Sequence, residues 1–181
     1  MSDAYARLRR VERESLDESG QQIWDRIAKV RNGTVQGPFG VLINVPGLAN
    51  QVAALEDYFR FESVVSAADR ELIIMTVAAE TDAGFIWDIH LGAARRQGTR
   101  EEALQSLESG DAGALTAHEA VLVEIARSLT KTRQIPAELY ERALADLGQR
   151  QLIEVVTLTG HYNMISMVVN GFEVPRPESG H

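Results

Sequence analysis

A chain of 181 residues, 45% hydrophobic and 24% charged, has enough apolar material for one compact domain and too much for a disordered segment. Its net charge of −8 argues against a nucleic-acid partner, because phosphate binding rests on clustered Lys and Arg that carboxylates do not outnumber. The absence of cysteine excludes disulfides, thiolate nucleophiles and Cys-containing metal sites.

In chain order, Arg7, Arg9, Arg10 and Arg13 form a short basic cluster, which reads as part of a solvated N-terminal arm over residues 1–14. No charged-then-apolar leader opens the chain, and the apolar run from Leu152 to Val169 is interrupted by Glu154, His161 and Asn163. The expectation is a soluble, cytoplasmic protein that does not span a membrane. Ser15-Leu16-Asp17-Glu18 has the form of a capping box and predicts a helix running to about Arg31, with Asn32-Gly33 as its left-handed stop. Residues 33–45, with three glycines and a proline, read as a long loop, and V-L-I-N-V within it is the only strand candidate.

Pro46 suits the first turn of a helix ending near Glu62. Ser66 to Asp69 repeats the capping pattern before R-E-L-I-I-M-T-V-A-A-E, which is apolar on nearly every side and therefore predicts a central helix. Asp82 is the expected cap of the next helix and Gly98 its close. Thr99–Glu102 and Thr116–Glu119 are two further capping boxes; Pro136 opens a short helix closed by Gly148, and a last long helix follows from about Gln149 to Asn170. Residues 176–181 form a polar tail. About eight helices with short connections imply an all-α, antiparallel bundle-like fold in one domain over residues 1–181.

Three groups of residues could carry chemistry. His90 projects from a helix face shared with Ile86, Trp87, Ala93 and Ala94, either as a hydrogen-bonded core residue or as an acid–base group. Glu71 shares its face with Ile74, Met75 and Ala78, so it is either a first-turn acid favoured by the helix dipole or a buried carboxyl with a raised pKa. The two lie on consecutive helices that antiparallel packing can bring together. The third group is G-H-Y-N-M, residues 160–164, where His161, Tyr162 and Asn163 interrupt an apolar helix; such residues pair with one another or line a cavity, and Tyr162 could donate to an oxyanion. His118, beside Glu119 at a helix start, reads as exposed. His90, His118 and His161 lack helix-local metal-ligand spacing, so no metal and no cofactor are expected.

R-E-L-I-I-M-T-V-A, W-D-I-H-L-G-A-A-R-R-Q-G, T-R-E-E-A-L and L-I-E-V-V-T-L-T-G-H-Y-N-M-I, in that order, resemble the carboxymuconolactone decarboxylase family, whose superfamily also contains the alkylhydroperoxidase AhpD. The likeness runs from about Gly37 to Pro175. It implies an AhpD-like all-α fold, a homo-oligomer that is a trimer or hexamer, and a small-molecule site where Glu71 and His90 meet. The peroxidase branch carries C-x-x-C where this chain has Ala83 and Ile86, so thiol-based peroxide reduction is excluded. The cysteine-free branch usually has Glu where Ile86 stands, and Asp88, nearly on the opposite helix face, does not replace it.

In that setting the expected site has His90 as proton donor, Glu71 fixing its tautomer, and Trp87, Ile86, Ala83, His161 and Tyr162 as substrate-binding walls. The expected activity is a cofactor-independent lyase or isomerase acting on a small carboxylated or lactone-type molecule. The alternative is a non-catalytic ligand-binding or structural oligomer of the same fold.

Overall fold

A computed structural model gives the fold; it describes residues 4–177, so the first three residues of the expected arm and residues 178–181 of the expected tail lie outside the described residues. The chain opens with a two-stranded antiparallel ribbon, β1 (Ala4–Tyr5) and β2 (Leu8–Arg9), in which Tyr5 pairs with Leu8. Eight helices follow among the described residues: α1 (Glu18–Lys29), α2 (Pro38–Leu42), α3 (Pro46–Phe61), α4 (Ala67–Glu80), α5 (Gly84–Gln97), α6 (Glu101–Ser109), α7 (Ala117–Thr132) and α8 (Ala137–Gly171). The all-α bundle expected from the sequence is the fold observed, with the ribbon as a small addition.

α4 is its axis. Every residue from Glu71 to Ala78 is buried, and the helix packs against α5, α6, α7 and α8. Ser66 caps it by accepting from the Asp69 amide, as the sequence predicts. Thr116 and Glu119 form the reciprocal capping box on α7, and Gly98 closes α5 in the left-handed conformation. Gly148, at φ 69° and ψ 168°, breaks the helical backbone inside α8, so the expected separation into two limbs holds although the two run on as one element. The most apolar window of α8 is long enough to cross a membrane by composition, and 56% of it is buried inside the fold.

Several local expectations are corrected. Asp17, not Ser15, caps α1: its carboxylate accepts from the Gly20 amide, while the Ser15 hydroxyl donates to the Glu12 carbonyl. The 33–45 segment is not a plain loop, because Pro38 occupies the first turn of the short α2, which absorbs part of the strand candidate V-L-I-N-V. Asp82 does not cap α5; it holds the left-handed turn at φ 49°, and Ala83 takes the cap position without a side-chain bond. Thr99 does not cap α6, since its hydroxyl donates to the Ala68 carbonyl on α4 and Arg100 takes that position.

Candidate active site

The tight turn between α4 and α5 folds the second helix back along the first, with the Ala83 amide donating to the Ala78 carbonyl. This return brings Glu71 and His90 together. His90 Nδ1 lies 2.8 Å from Glu71 Oε2, and the Glu71 residue is only 4% exposed. Arg70 reaches the other carboxylate oxygen, Oε1, at 3.3 and 3.4 Å from two guanidinium nitrogens, and also donates to the Phe59 carbonyl.

Burial alone would push the Glu71 carboxyl up, as the apolar face of its helix suggests. The His90 hydrogen bond, with the charges of His90 and Arg70, outweighs burial and holds it below its ordinary value. Glu71 is therefore an ionised acceptor at neutral pH, not a proton donor. An ionised acceptor requires a proton on His90 Nδ1, and that fixes the tautomer. Nε2 then carries a lone pair in the neutral ring and a proton in the imidazolium. The His90 side chain is 18% exposed, and Nε2 makes no hydrogen bond among the described residues.

The ring that packs on His90 comes from α8. Tyr162 stands edge-on to it at 5.4 Å between centroids, His161 stands edge-on to Tyr162 at 5.2 Å, and Phe59 of α3 flanks His161 at 6.0 Å. Tyr162 and His161 are both buried. Burial drives the Tyr162 phenol well above its ordinary pKa, and the nearby Glu56 and Glu71 carboxylates act in the same direction, so it is a neutral hydroxyl. That hydroxyl makes no hydrogen bond among the described residues.

The other expected site residues divide. Trp87 is half-buried and packs against the core, whereas Ala83 and Ile86 are fully inside it. Asn163 turns elsewhere, donating to the Thr130 hydroxyl and the Thr159 carbonyl. Asp88 is taken by a bidentate pair with Arg176, both contacts at 2.6 Å. His118 is not a bare surface residue: it lies between Asp146 at 2.6 Å and Asp69 at 3.3 Å. Two surface clefts, one lined by residues including Arg10, Val35 and Gly40 and the other by Glu124, Lys131 and Arg142, hold none of the site residues.

Arg70 and Phe59 escaped the sequence reading. Adjacent residues on a helix point apart, so R-E gave no reason to expect both side chains at one place. Arg70 reaches Glu71 only because its long, flexible stem can bend back.

Residues 46–128, which contain Glu71, Trp87 and His90, match the carboxymuconolactone decarboxylase family. The match spans just under half of the chain. The matched span ends within α7, so the family region holds the Glu71–His90 pair while His161 and Tyr162 on α8 lie beyond it. Among solved structures, the fold resembles the alkylhydroperoxidase AhpD core of an uncharacterized peroxidase-related protein from Ralstonia eutropha JMP134, with TM-score 0.80 at 15% identity over 97% of this chain and 94% of that one. An uncharacterized peroxidase-related protein from Silicibacter sp. TM1040 gives TM-score 0.73 at 18% identity, covering 96% and 92%. A protein of unknown function from Agrobacterium tumefaciens, a putative antioxidant defence protein AhpD by its description, gives 0.69 at 19%, covering 76% and 95%. At these identities the likeness is one of fold. No curated protein matches the sequence significantly.

Proposed function

We propose that this protein is a member of the carboxymuconolactone decarboxylase family and a cofactor-independent lyase or isomerase for a small carboxylated or lactone-type molecule, with His90 as its acid–base group. The observation that carries the proposal is the buried, ionised Glu71 holding His90 Nδ1 at 2.8 Å, which leaves Nε2 as the ring atom that exchanges a proton with substrate.

In the decarboxylation form, the bond to the leaving carboxylate breaks and carbon dioxide departs. The electron pair passes into the conjugated carbonyl as an enolate, and His90 Nε2–H protonates the carbon. Solvent water returns a proton to His90. In the isomerisation form, neutral His90 takes a proton from the carbon next to the carbonyl and returns it at the conjugated position. Tyr162 is a neutral hydroxyl donor beside the ring and suits the developing oxyanion. Half-buried Trp87 supplies apolar surface for the leaving group, backed by Ile86 and Ala83 in the core, and desolvation there favours loss of charge.

The test is turnover of a panel of butenolide acids, unsaturated lactones and β-keto acids by the wild type, His90→Ala and Glu71→Gln. Loss of about 100-fold or more in both variants, within the range of general acid–base effects, supports the proposal. Turnover that survives His90→Ala overturns it.

The second reading is a non-catalytic ligand-binding or structural oligomer. It draws on Ile86, which stands fully buried where the cysteine-free branch usually has an acid, and on the absence of cysteine. Stabilisation of the fold by His90→Ala and Glu71→Ala, with no turnover in any arm, favours it. Under either reading the protein is taken as a soluble, cytoplasmic trimer or hexamer that binds neither nucleic acid nor membrane. Exposed Ile153, Met164 and Met167 on the outer side of α8 offer apolar surface for such association.

A further inference from the structure

Among the described residues, the side-chain polar atoms sealed from solvent and without a hydrogen-bond partner are Asp57 Oδ1 and both ring nitrogens of His161. Asp57 is served through its other oxygen by Arg26. His161 has nothing, although its residue is 4% exposed. A phenylalanine would pack as well between Phe59 and Tyr162 and would strand no polar atom, so the imidazole costs stability unless a guest completes it.

The surroundings define that guest. Burial pushes the His161 pKa down and keeps the ring neutral. A neutral imidazole offers one N–H donor and one lone pair, which a hydroxyl group complements because it too both donates and accepts. The partnerless Tyr162 hydroxyl lies on the adjacent ring. A carboxylate is a poor fit: one imidazole nitrogen repels it, the Glu56 carboxylate acts on the same ring, and Arg31 and Arg60 are both already turned onto Glu56. The line of rings from His161 through Tyr162 ends at His90, the partly open one of the three.

We infer that His161 is the receptor for a neutral hydroxyl group in the same site, so that the substrate carries an uncharged hydroxyl or enol oxygen beyond the carbonyl end served by His90. This rests on the reading of Glu71 and His90 as the reacting end. It makes the substrate class a hydroxylated or enolic lactone or keto acid rather than a dicarboxylate.

The experiment is a titration of the full-length protein, with 15N-labelled histidine, by phenol, benzoate and toluene, read on the His161 and His90 ring nitrogens and on tryptophan fluorescence. Phenol is expected to shift the His161 nitrogens saturably, while benzoate and toluene at the same concentrations do not. His161→Phe is expected to weaken phenol binding tenfold or more, and His161→Gln, which keeps one donor and one acceptor, to restore part of it. Benzoate binding at His161 as tightly as phenol overturns the inference. So does phenol binding that is unchanged in His161→Phe. So does a His161 ring that ignores all three probes, which marks a resident water as its only partner. The readout needs no turnover, so failure here is distinct from failure of the acid–base reading, which His90→Ala decides separately.

Discussion

Replacing Glu154 by glutamine tests how much of the fold around the site hangs on one buried carboxylate. Glu154 lies on α8 and accepts from the Tyr58 hydroxyl at 2.8 Å, the Ser63 hydroxyl at 2.5 Å, the Val64 amide at 2.8 Å and Arg150 Nε at 3.2 Å. It thereby ties the end of α3 and the loop before α4 to the helix that carries Tyr162. Burial would push its carboxyl up, but these four donors outweigh burial and bring it from 4.5 down to about 2. At about 1.4 kcal/mol per pKa unit, that difference corresponds to about 3 kcal/mol of stability at neutral pH. Because the folded-state pKa is depressed, the contribution is present in full above about 4.5 and is lost as pH falls toward about 2. Urea unfolding followed by tryptophan fluorescence at pH 7, 5, 4 and 3 reads the gap between wild type and Glu154→Gln. The gap should be largest at pH 7 and close progressively below pH 5. A gap that stays constant with pH would refute the electrostatic account and leave only shape and packing.

Two further outcomes follow from other positions. Gly37 sits at φ 61°, where a Cβ would lie 2.5 Å from the Phe85 ring, so Gly37→Ala should cost on the order of 2 kcal/mol or more through backbone strain and a displaced ring. A midpoint in urea matching the wild type would show that Phe85 moves aside freely. For His118, burial lowers the pKa but the bonds to Asp146 and Asp69 raise it further, to a net rise above 6.5. Its contribution is therefore complete below pH 6.5 and lost as pH rises through the folded-state value. Because these groups are partly solvent-screened, His118→Gln should cost no more than about 1 kcal/mol at pH 5.5 and nothing measurable at pH 9 in thermal unfolding.

The fold was legible because its signals are local. Ser66, Thr116, Gly98 and Gly148 each act within one helical turn, and the unbroken apolar run of α4 could only be central. The misplaced caps have a shared cause: Ser15 and Thr99 have the right residue type, but their hydroxyls donate to carbonyls of Glu12 and Ala68 instead. Glu71 and His90 were legible as a pair because one tight turn separates their helices. The sign of the Glu71 pKa shift was not, since it turns on burial being outweighed first by the His90 hydrogen bond and then by Arg70 bending back across its own helix. The partnerless state of His161 was likewise hidden, because it is a property of what the Phe59 and Tyr162 rings beside it do not offer, and no local pattern records a missing neighbour.

The break at Gly148 has a mechanical side. Torsion travels along a helix through its continuous ladder of hydrogen bonds, and a residue at φ 69° and ψ 168° interrupts that ladder. The first limb, with Asp146 fastened to His118, can therefore be strained or re-angled without twisting the limb that carries Glu154, His161 and Tyr162. What the α7 side passes to the rings of His161 and Tyr162 therefore goes through side-chain contacts on their own limb, such as the Asn163–Thr130 hydrogen bond, and not along the helix backbone.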